Sequence, residues 1–226
     1  LLNTPFSNKE IRKAVFQIGP TKSPEPDGVP AIFYQKCWYL IKNDVVGTVK
    51  SILNSGFVLK EFNRTFITLI PKKENPEKIK DYRPISLGNV IMRIVTKCIT
   101  NRLNSIIAGI VSNSQNAFVP GRNISGNVLI ANEMIYEISN KKKGKTGKLA
   151  IKVDIHKAYD KISWNFLRRV LMKIGFPEHW VQLIMSCVTT VSYEILINGA
   201  PQEQFKPAAG LRQGDPLSPY LFVLCM

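Results

Sequence analysis

The sequence predicts an α+β fold, and three observations carry that reading. Apolar residues recur at helical spacing through several long stretches. Two short runs rich in β-branched residues, 65–70 and 191–197, have the composition of strands. The dipeptide Asn198-Gly199 behind the second run is the strongest short hairpin signal in the chain. With 226 residues and 45% hydrophobic content there is enough apolar material for one sizeable core or two small lobes.

The elements follow in order. Ser7-Asn-Lys-Glu10 is a capping box that opens an amphipathic helix through about Ile18. Lys22-Ser-Pro-Glu-Pro-Asp-Gly28 ends it with turn chemistry. A long helical pattern from Pro30 to Asn54 stops at Ser55-Gly56, and the strand Thr65-Phe-Ile-Thr-Leu-Ile70 comes next. Residues 71–81 read as a charged loop, 89–107 as a helix, 115–122 as irregular, and 124–138 as a helix. The lysine-rich patch Lys141-Lys-Lys-Gly-Lys-Thr-Gly-Lys148 reads as a solvated loop and as a boundary between two subdomains. A strand is expected to end at Asp154, followed by helices over 158–174 and 177–188. After the hairpin and its return strand, Gly210-Leu-Arg-Gln-Gly-Asp-Pro-Leu-Ser218 leads into a helix, with Pro216 suited to the first turn.

Charge narrows the class of partner. Lys and Arg number 31 against 16 acids, a net charge of +15 that is spread along the chain rather than gathered in a tail. That balance favours a polyanionic partner, nucleic acid above all, over a basic protein with no such ligand. No apolar run approaches the ~20 residues that cross a bilayer, and the opening Leu-Leu-Asn-Thr-Pro is not expected to be a signal peptide. The chain begins without Met and closes inside an apolar run, so it is expected to be part of something longer. Cys37, Cys98, Cys187 and Cys225 are isolated and lie in apolar surroundings. They pair in no zinc spacing with each other or with His156 and His179, and buried reduced thiols in an intracellular protein are expected.

Four groups of residues invite chemistry. Asp154 follows the apolar run that starts at Gly147; a carboxylate at a strand end suits Mg²⁺, which takes few protein ligands and completes its shell with phosphates. The same position also suits a helix N-cap. Tyr159, five residues on, is either an ordinary core aromatic or the floor of a nucleotide sugar, where its ring would exclude a 2′-hydroxyl. Gly210 to Pro219 is a Gly-rich helix start that either meets a phosphate or base or merely opens a helix. Lys72, Lys73, Lys78, Lys80 and Arg83 form a basic group that either closes over a triphosphate or is a solvated charge run.

Taken together, an ordered series of segments resembles a known family. Thr68-Leu-Ile-Pro-Lys-Lys73, Asp81-Tyr-Arg-Pro-Ile-Ser-Leu87, Gln115-Asn-Ala-Phe-Val-Pro-Gly-Arg122, Val153-Asp-Ile-His-Lys-Ala-Tyr-Asp160 and Gly210-Leu-Arg-Gln-Gly-Asp-Pro-Leu-Ser-Pro219 are similar to the reverse transcriptase of non-LTR (LINE-type) retrotransposons, especially those of plants. The segment 22–28 also matches the family's N-terminal loop, with Glu25 standing where the family usually has Gly. The resemblance covers essentially the whole chain. It implies a right-hand polymerase fold with fingers over about 1–148, the first part of the palm over about 149–226, and no thumb.

The resemblance also implies roles. Asp154 matches the first catalytic metal ligand, for Mg²⁺ or Mn²⁺, and Tyr159 the sugar gate. Ile155, Gln213 and Gly214 would line the incoming nucleotide, and Lys72, Lys73 and Arg83 lie in the fingers segment that binds the triphosphate. Arg122 and Arg212 would contact nucleic acid. The implied partners are an RNA template, a DNA primer and deoxynucleoside triphosphates, with no membrane, in the nucleus or cytoplasm. The family completes its metal site with an Ala-Asp-Asp hairpin, and no Asp-Asp pair occurs in these 226 residues. The expectation is therefore a fragment of an RNA-directed DNA polymerase, inactive by itself. The alternatives are a non-enzymatic nucleic-acid-binding module or a decayed relic, with which Glu25 is compatible.

Overall fold

A computed structural model describes residues 2–21, 26–141 and 147–226. Helix α1 (Asn8–Gln17) starts where expected: Ser7 Oγ accepts the Glu10 amide and the Glu10 carboxylate accepts the Ser7 amide, satisfying donors that the helix itself leaves open. The long helix expected over 30–54 is two helices, α2 (Ala31–Lys36) and α3 (Trp38–Ser55), separated at Cys37. Cys37 closes the first helix with its amide on the Phe33 carbonyl and opens the second by accepting from Leu40 and Ile41. Beyond the bend, Trp38 meets Phe16 of α1 edge-on at 6.1 Å. Gly56, left-handed at φ 67°, terminates α3 as read from the sequence.

Strand β1 (Arg64–Pro71) agrees with the expected run, but β2 (Tyr82–Gly88) was not expected as a strand. Pro84 hid it, since proline removes a ladder donor. Here Pro84 lies opposite Leu69 on the outermost strand of the sheet, where one face of the ladder is free. Helix α4 (Val90–Leu103) follows and forms the centre of the core, with nearly every residue buried. Its N-cap residue Asn89 uses its side chain to join three segments, donating to the Glu61 and Phe62 carbonyls and accepting from the Asp27 amide.

Helix α5 (Ile124–Asn140) has no buried residue. The patch 141–148 read as a loop lies largely outside the described residues, as does the start of the segment 22–28. Lys148 pairs with Glu137 of α5. The strand expected to end at Asp154 does not form: 147–155 has no ladder partner among the described residues, and Leu149, Ile151 and Val153 are 76–82% exposed. Alternating apolar residues make a strand only when a neighbour pairs with them, and none of the described residues does so.

The helix expected over 158–174 is also interrupted. A short 3₁₀ turn at Tyr159–Lys161 gives way to extended backbone at Ile162, and α6 (Trp164–Ile174) starts afresh with Ser163 capping the Phe166 amide. The cause is external: the Tyr159 and Ile162 carbonyls accept the amides of Leu211 and Gly210, so they are not available to a continuous helix. Helix α7 (Glu178–Thr189) leads to β3 (Ser192–Ile197). The Asn198-Gly199 turn, with φ 51° and 79°, then reverses the chain into β4 (Ala200–Pro201). The final helix α8 (Ser218–Cys225) begins two residues after Pro216, with Pro219 in its first turn.

The four strands form one sheet in the order β2-β1-β3-β4. β1 is antiparallel to β2 and parallel to β3, a mixed sheet in which the second half of the sequence supplies half the strands. One hydrophobic cluster runs from Phe6 to Leu224, and Trp180 of α7 stacks near Phe6 at 6.0 Å while donating to the Leu2 carbonyl. Packing is therefore continuous between the residues before and after position 148. Cys98 and Cys187 are buried, Cys37 and Cys225 half-buried, and no disulfide joins the described residues. No described helix is long and apolar enough to cross a membrane.

Candidate nucleotide site

The Gly210–Asp215 loop lies at the junction of three of the motif-bearing segments. Gly210 N donates to Ile162 O at 2.8 Å, Leu211 N to Tyr159 O at 2.9 Å, and Trp164 Nε1 to Gly210 O at 2.9 Å. On the opposite side Ser86 N of β2 donates to Gln213 O at 2.9 Å. The loop thus bridges the turn after Asp154 and the strand that carries Arg83.

Glycine is required at both ends of this bridge. Gly210 has φ 95°, and a Cβ there would lie 3.2 Å from the Asp160 Cα and carbonyl oxygen. Gly214 has φ 104°, and a Cβ would lie 3.3 Å from the Ser86 carbonyl oxygen. Both the backbone angle and the close approach make a side chain strained there.

Tyr159 is half-buried and its ring stacks on Phe222 of α8, 5.2 Å between centroids and 10° from parallel. Burial raises its phenol above the ordinary range. The ring is thereby held flat against a second aromatic rather than free to turn. Asp154 and Ile155 sit on the exposed stretch before it.

The basic residues of the β1–β2 hairpin are exposed. Lys72 Nζ donates to the Lys80 carbonyl at 2.9 Å, and Lys73 pairs with Asp81 at 3.0 Å. Asp81 organises the hairpin tip by accepting the Glu77 and Lys78 amides, and those bonds together with Lys73 hold its carboxyl below the usual range. Arg83 stands opposite Ile70 near the same tip.

Arg122 and Arg212, read as nucleic-acid contacts, are placed differently. Arg122 donates to the carbonyls of Ser112, Gln115 and Ala108, at 2.5, 2.6 and 2.9 Å, and so knits its own loop together. Arg212 is 8% exposed, donates to Asn63 Oδ1 at 2.5 Å and to the Cys187 carbonyl, and pairs with Asp215 at 2.9 Å. Arg212 is spent in the interior and half-buried Arg122 on its own loop, because irregular loops leave acceptors that planar, multi-donor groups satisfy together. Asn63 and Asp215 were not singled out from the sequence. Asp215 sits within a quoted motif, whereas nothing in the sequence links Asn63 to a loop 149 residues away.

The family implied by the sequence calls for a divalent cation. Asp154 is a hard oxygen ligand of the right type, and one or two carboxylates plus substrate phosphates suffice for a single Mg²⁺. A two-ion site needs carboxylates from a second element, and no group of three or more His, Cys, Asp or Glu side chains converges among the described residues. The residues present fit one ion and do not fit two.

A basic hairpin, the exposed segment that carries Asp154 and a Gln-Gly loop are thus linked within one α+β fold. The family model described as reverse transcriptase (RNA-dependent DNA polymerase) matches residues 70–226, well over half the chain, and the chain belongs to that family. It is 29% identical over 227 residues to the Transposon TX1 uncharacterized 149 kDa protein of Xenopus laevis, across 100% of this chain and 17% of that protein. It is 27% identical over 210 residues to the Retrovirus-related Pol polyprotein from type-2 retrotransposable element R2DM of Drosophila melanogaster, across 93% of this chain and 19% of that one. A type-1 R2 element polyprotein of Nasonia vitripennis is 26% identical over 218 residues, 96% of this chain and 20% of its own length. The domain is homologous to those of non-LTR retrotransposons, and the chain spans about a fifth of these relatives.

Proposed function

We propose that this chain is the nucleotide-binding portion of an RNA-directed DNA polymerase of a non-LTR retrotransposon, and that the complete polypeptide copies RNA into DNA. The observation that carries the reading is the bridge made by the Gly210–Asp215 loop, bonded at once to the turn after Asp154 and to the strand bearing Arg83. In this reading Lys72, Lys73 and Arg83 hold the triphosphate by charge-assisted hydrogen bonds from the hairpin tip. Tyr159, fixed flat against Phe222, closes the site beneath the sugar and rejects a 2′-hydroxyl. Gln213 and Gly214 line the base-side wall, where the lack of a Gly214 side chain permits close approach. Ile155 supplies an apolar edge beside Asp154.

Asp154 would hold a Mg²⁺ (or Mn²⁺) ion, which when bound polarises the phosphate oxygens and favours attack by a primer 3′-hydroxyl. The segment 1–148 would act as fingers and 149–226 as the beginning of a palm, joined through the shared sheet. Because no group of three or more metal-ligating side chains converges among the described residues, residues 1–226 alone bind nucleic acid without extending a primer. Arg122 and Arg212 hold loops rather than touch nucleic acid. The test is primer extension on an RNA template by the complete polypeptide. Extension with deoxynucleotides that weakens sharply in Lys73→Ala and Arg83→Ala supports the reading; wild-type protein that retains nucleic-acid affinity yet never extends a primer favours the non-enzymatic binding module, for which the net charge of +15 speaks.

A further inference from the structure

The buried polar network beneath the Gln213–Gly214 loop has a geometry that a simple core contact does not need. Arg212 and Asp215 flank those two residues and pair with each other at 2.9 Å, so an ion pair closes the base of the loop. Both are nearly buried, at 8% and 7% exposure. Asp215 Oδ1 also accepts the Leu217 amide at 2.8 Å, which fixes the loop to the entry of α8.

Arg212 then reaches Asn63 Oδ1, and Asn63, fully buried, sends its Nδ2 to the Cys187 carbonyl at 3.0 Å and to Thr190 Oγ1 at 2.8 Å. Asn63 immediately precedes β1, the strand whose far end runs directly into Lys72 and Lys73. One rigid strand therefore connects the ion-paired base of the loop to the basic hairpin. The Ser86 amide on Gln213 O adds a second tie to the neighbouring strand. Meanwhile neither the Gln213 side-chain amide nor the Gly214 amide has a hydrogen-bond partner among the described residues, and Gln213 is half-buried and Gly214 exposed.

We propose that Asn63 and Arg212 are positioning residues for the incoming nucleotide: their bond sets the Gln213–Gly214 donors at a constant distance from the hairpin lysines, so that base and triphosphate are gripped in one register. The inference rests on the function proposed above. Arg212 acts through the loop backbone, and Asn63 acts through Arg212. A planar fork suits this task because it serves Asn63, Asp215 and the Cys187 carbonyl together, which an ammonium on a flexible stem does not.

The experiment compares steady-state primer extension by the complete polypeptide, wild type and variants, with melting temperature and primer–template affinity measured on the same samples. Arg212→Lys keeps the charge for Asp215 and loses the fork. It should raise KM for deoxynucleotides about tenfold, with primer–template affinity within about twofold of wild type. Asn63→Ser, which shortens the acceptor but leaves the Arg212–Asp215 pair, should move KM in the same direction. Thr190→Val removes one acceptor of Asn63 Nδ2 together with the Thr190 Oγ1 bond to the Ser186 carbonyl, leaves the Asn63 bonds to Cys187 and Arg212, and should lower the melting temperature while leaving KM unchanged. Unchanged KM in Arg212→Lys and Asn63→Ser, beside active wild type, overturns the inference and leaves the polymerase reading standing. Loss of cooperative folding in both variants assigns the network to the core alone and also overturns it. A wild type that extends no primer defeats the polymerase reading itself, and the inference with it.

Discussion

At the scale of single residues, two side chains and one glycine carry consequences that are measurable without a substrate. Arg102 is buried and donates to Glu10 and to the Thr4 and Pro5 carbonyls, and its guanidinium lies 3.5 Å from the Phe6 ring centroid. That guanidinium is the main reason the Glu10 carboxyl falls from its ordinary 4.5 to about 2, assisted by the Ser7 amide. A depressed carboxyl contributes stability that is fully present above pH 4.5 and is lost as pH falls through about 2. Because the Glu10 side chain is 37% exposed, solvent screening limits its contribution to about 1 kcal/mol. Urea unfolding at pH 7, 4 and 2.5 should show Glu10→Gln less stable than wild type at neutral pH, with the gap closing in acid. Gly210→Ala should cost about 2 kcal/mol, since φ 95° and the 3.2 Å approach to Asp160 both oppose a Cβ. Its thermal melt should fall by several degrees, and a melt unchanged from wild type would show that the loop relaxes without cost.

At the scale of elements, the joint between β1 and β3 holds the two halves of the sequence in one sheet. Arg64 reaches across it to Glu194 in a two-pronged pair of 2.5 and 2.7 Å, and this keeps the Glu194 carboxyl below the usual range. Arg64 is 42% exposed, so a double-mutant cycle with Arg64→Met and Glu194→Gln should give a coupling of only about 1 kcal/mol. Arg64→Met alone should cost more than the double change, because it strands a buried carboxylate. Elements were legible in the sequence where their ends carry chemistry. Ser7 with Glu10, Gly56 and Asn198-Gly199 each marked a boundary the structure keeps. They were illegible where the deciding force is tertiary. The break at Ile162 has one local mark, the cap Ser163, but the remote amides of Gly210 and Leu211 also take the Ile162 and Tyr159 carbonyls. Conversely 147–154 has the alternation of a strand and no partner among the described residues to make it one. The order of the candidate site followed from its motifs, yet its frame did not, because Asn63 and Arg212 meet only through folding.

At the scale of the whole molecule, one continuous core supports an outer surface with a net charge of +15, together with exposed apolar residues on α5 and on 149–155. The charge predicts that residues 1–226 bind RNA through phosphate contacts, with log affinity falling linearly against log salt between about 50 and 200 mM. Fluorescence anisotropy of a labelled RNA measures this directly, and salt-independent binding would contradict it. The central claim is that Asp154, the hairpin cations and the Gln213–Gly214 loop together serve nucleotide addition. Its most direct test is primer extension on an RNA template with Mg²⁺, using the complete polypeptide and its Asp154→Asn variant. The account predicts extension by wild type and a loss of about a thousandfold or more in the variant, with the melting temperature unchanged. Extension by Asp154→Asn at the wild-type rate would contradict it.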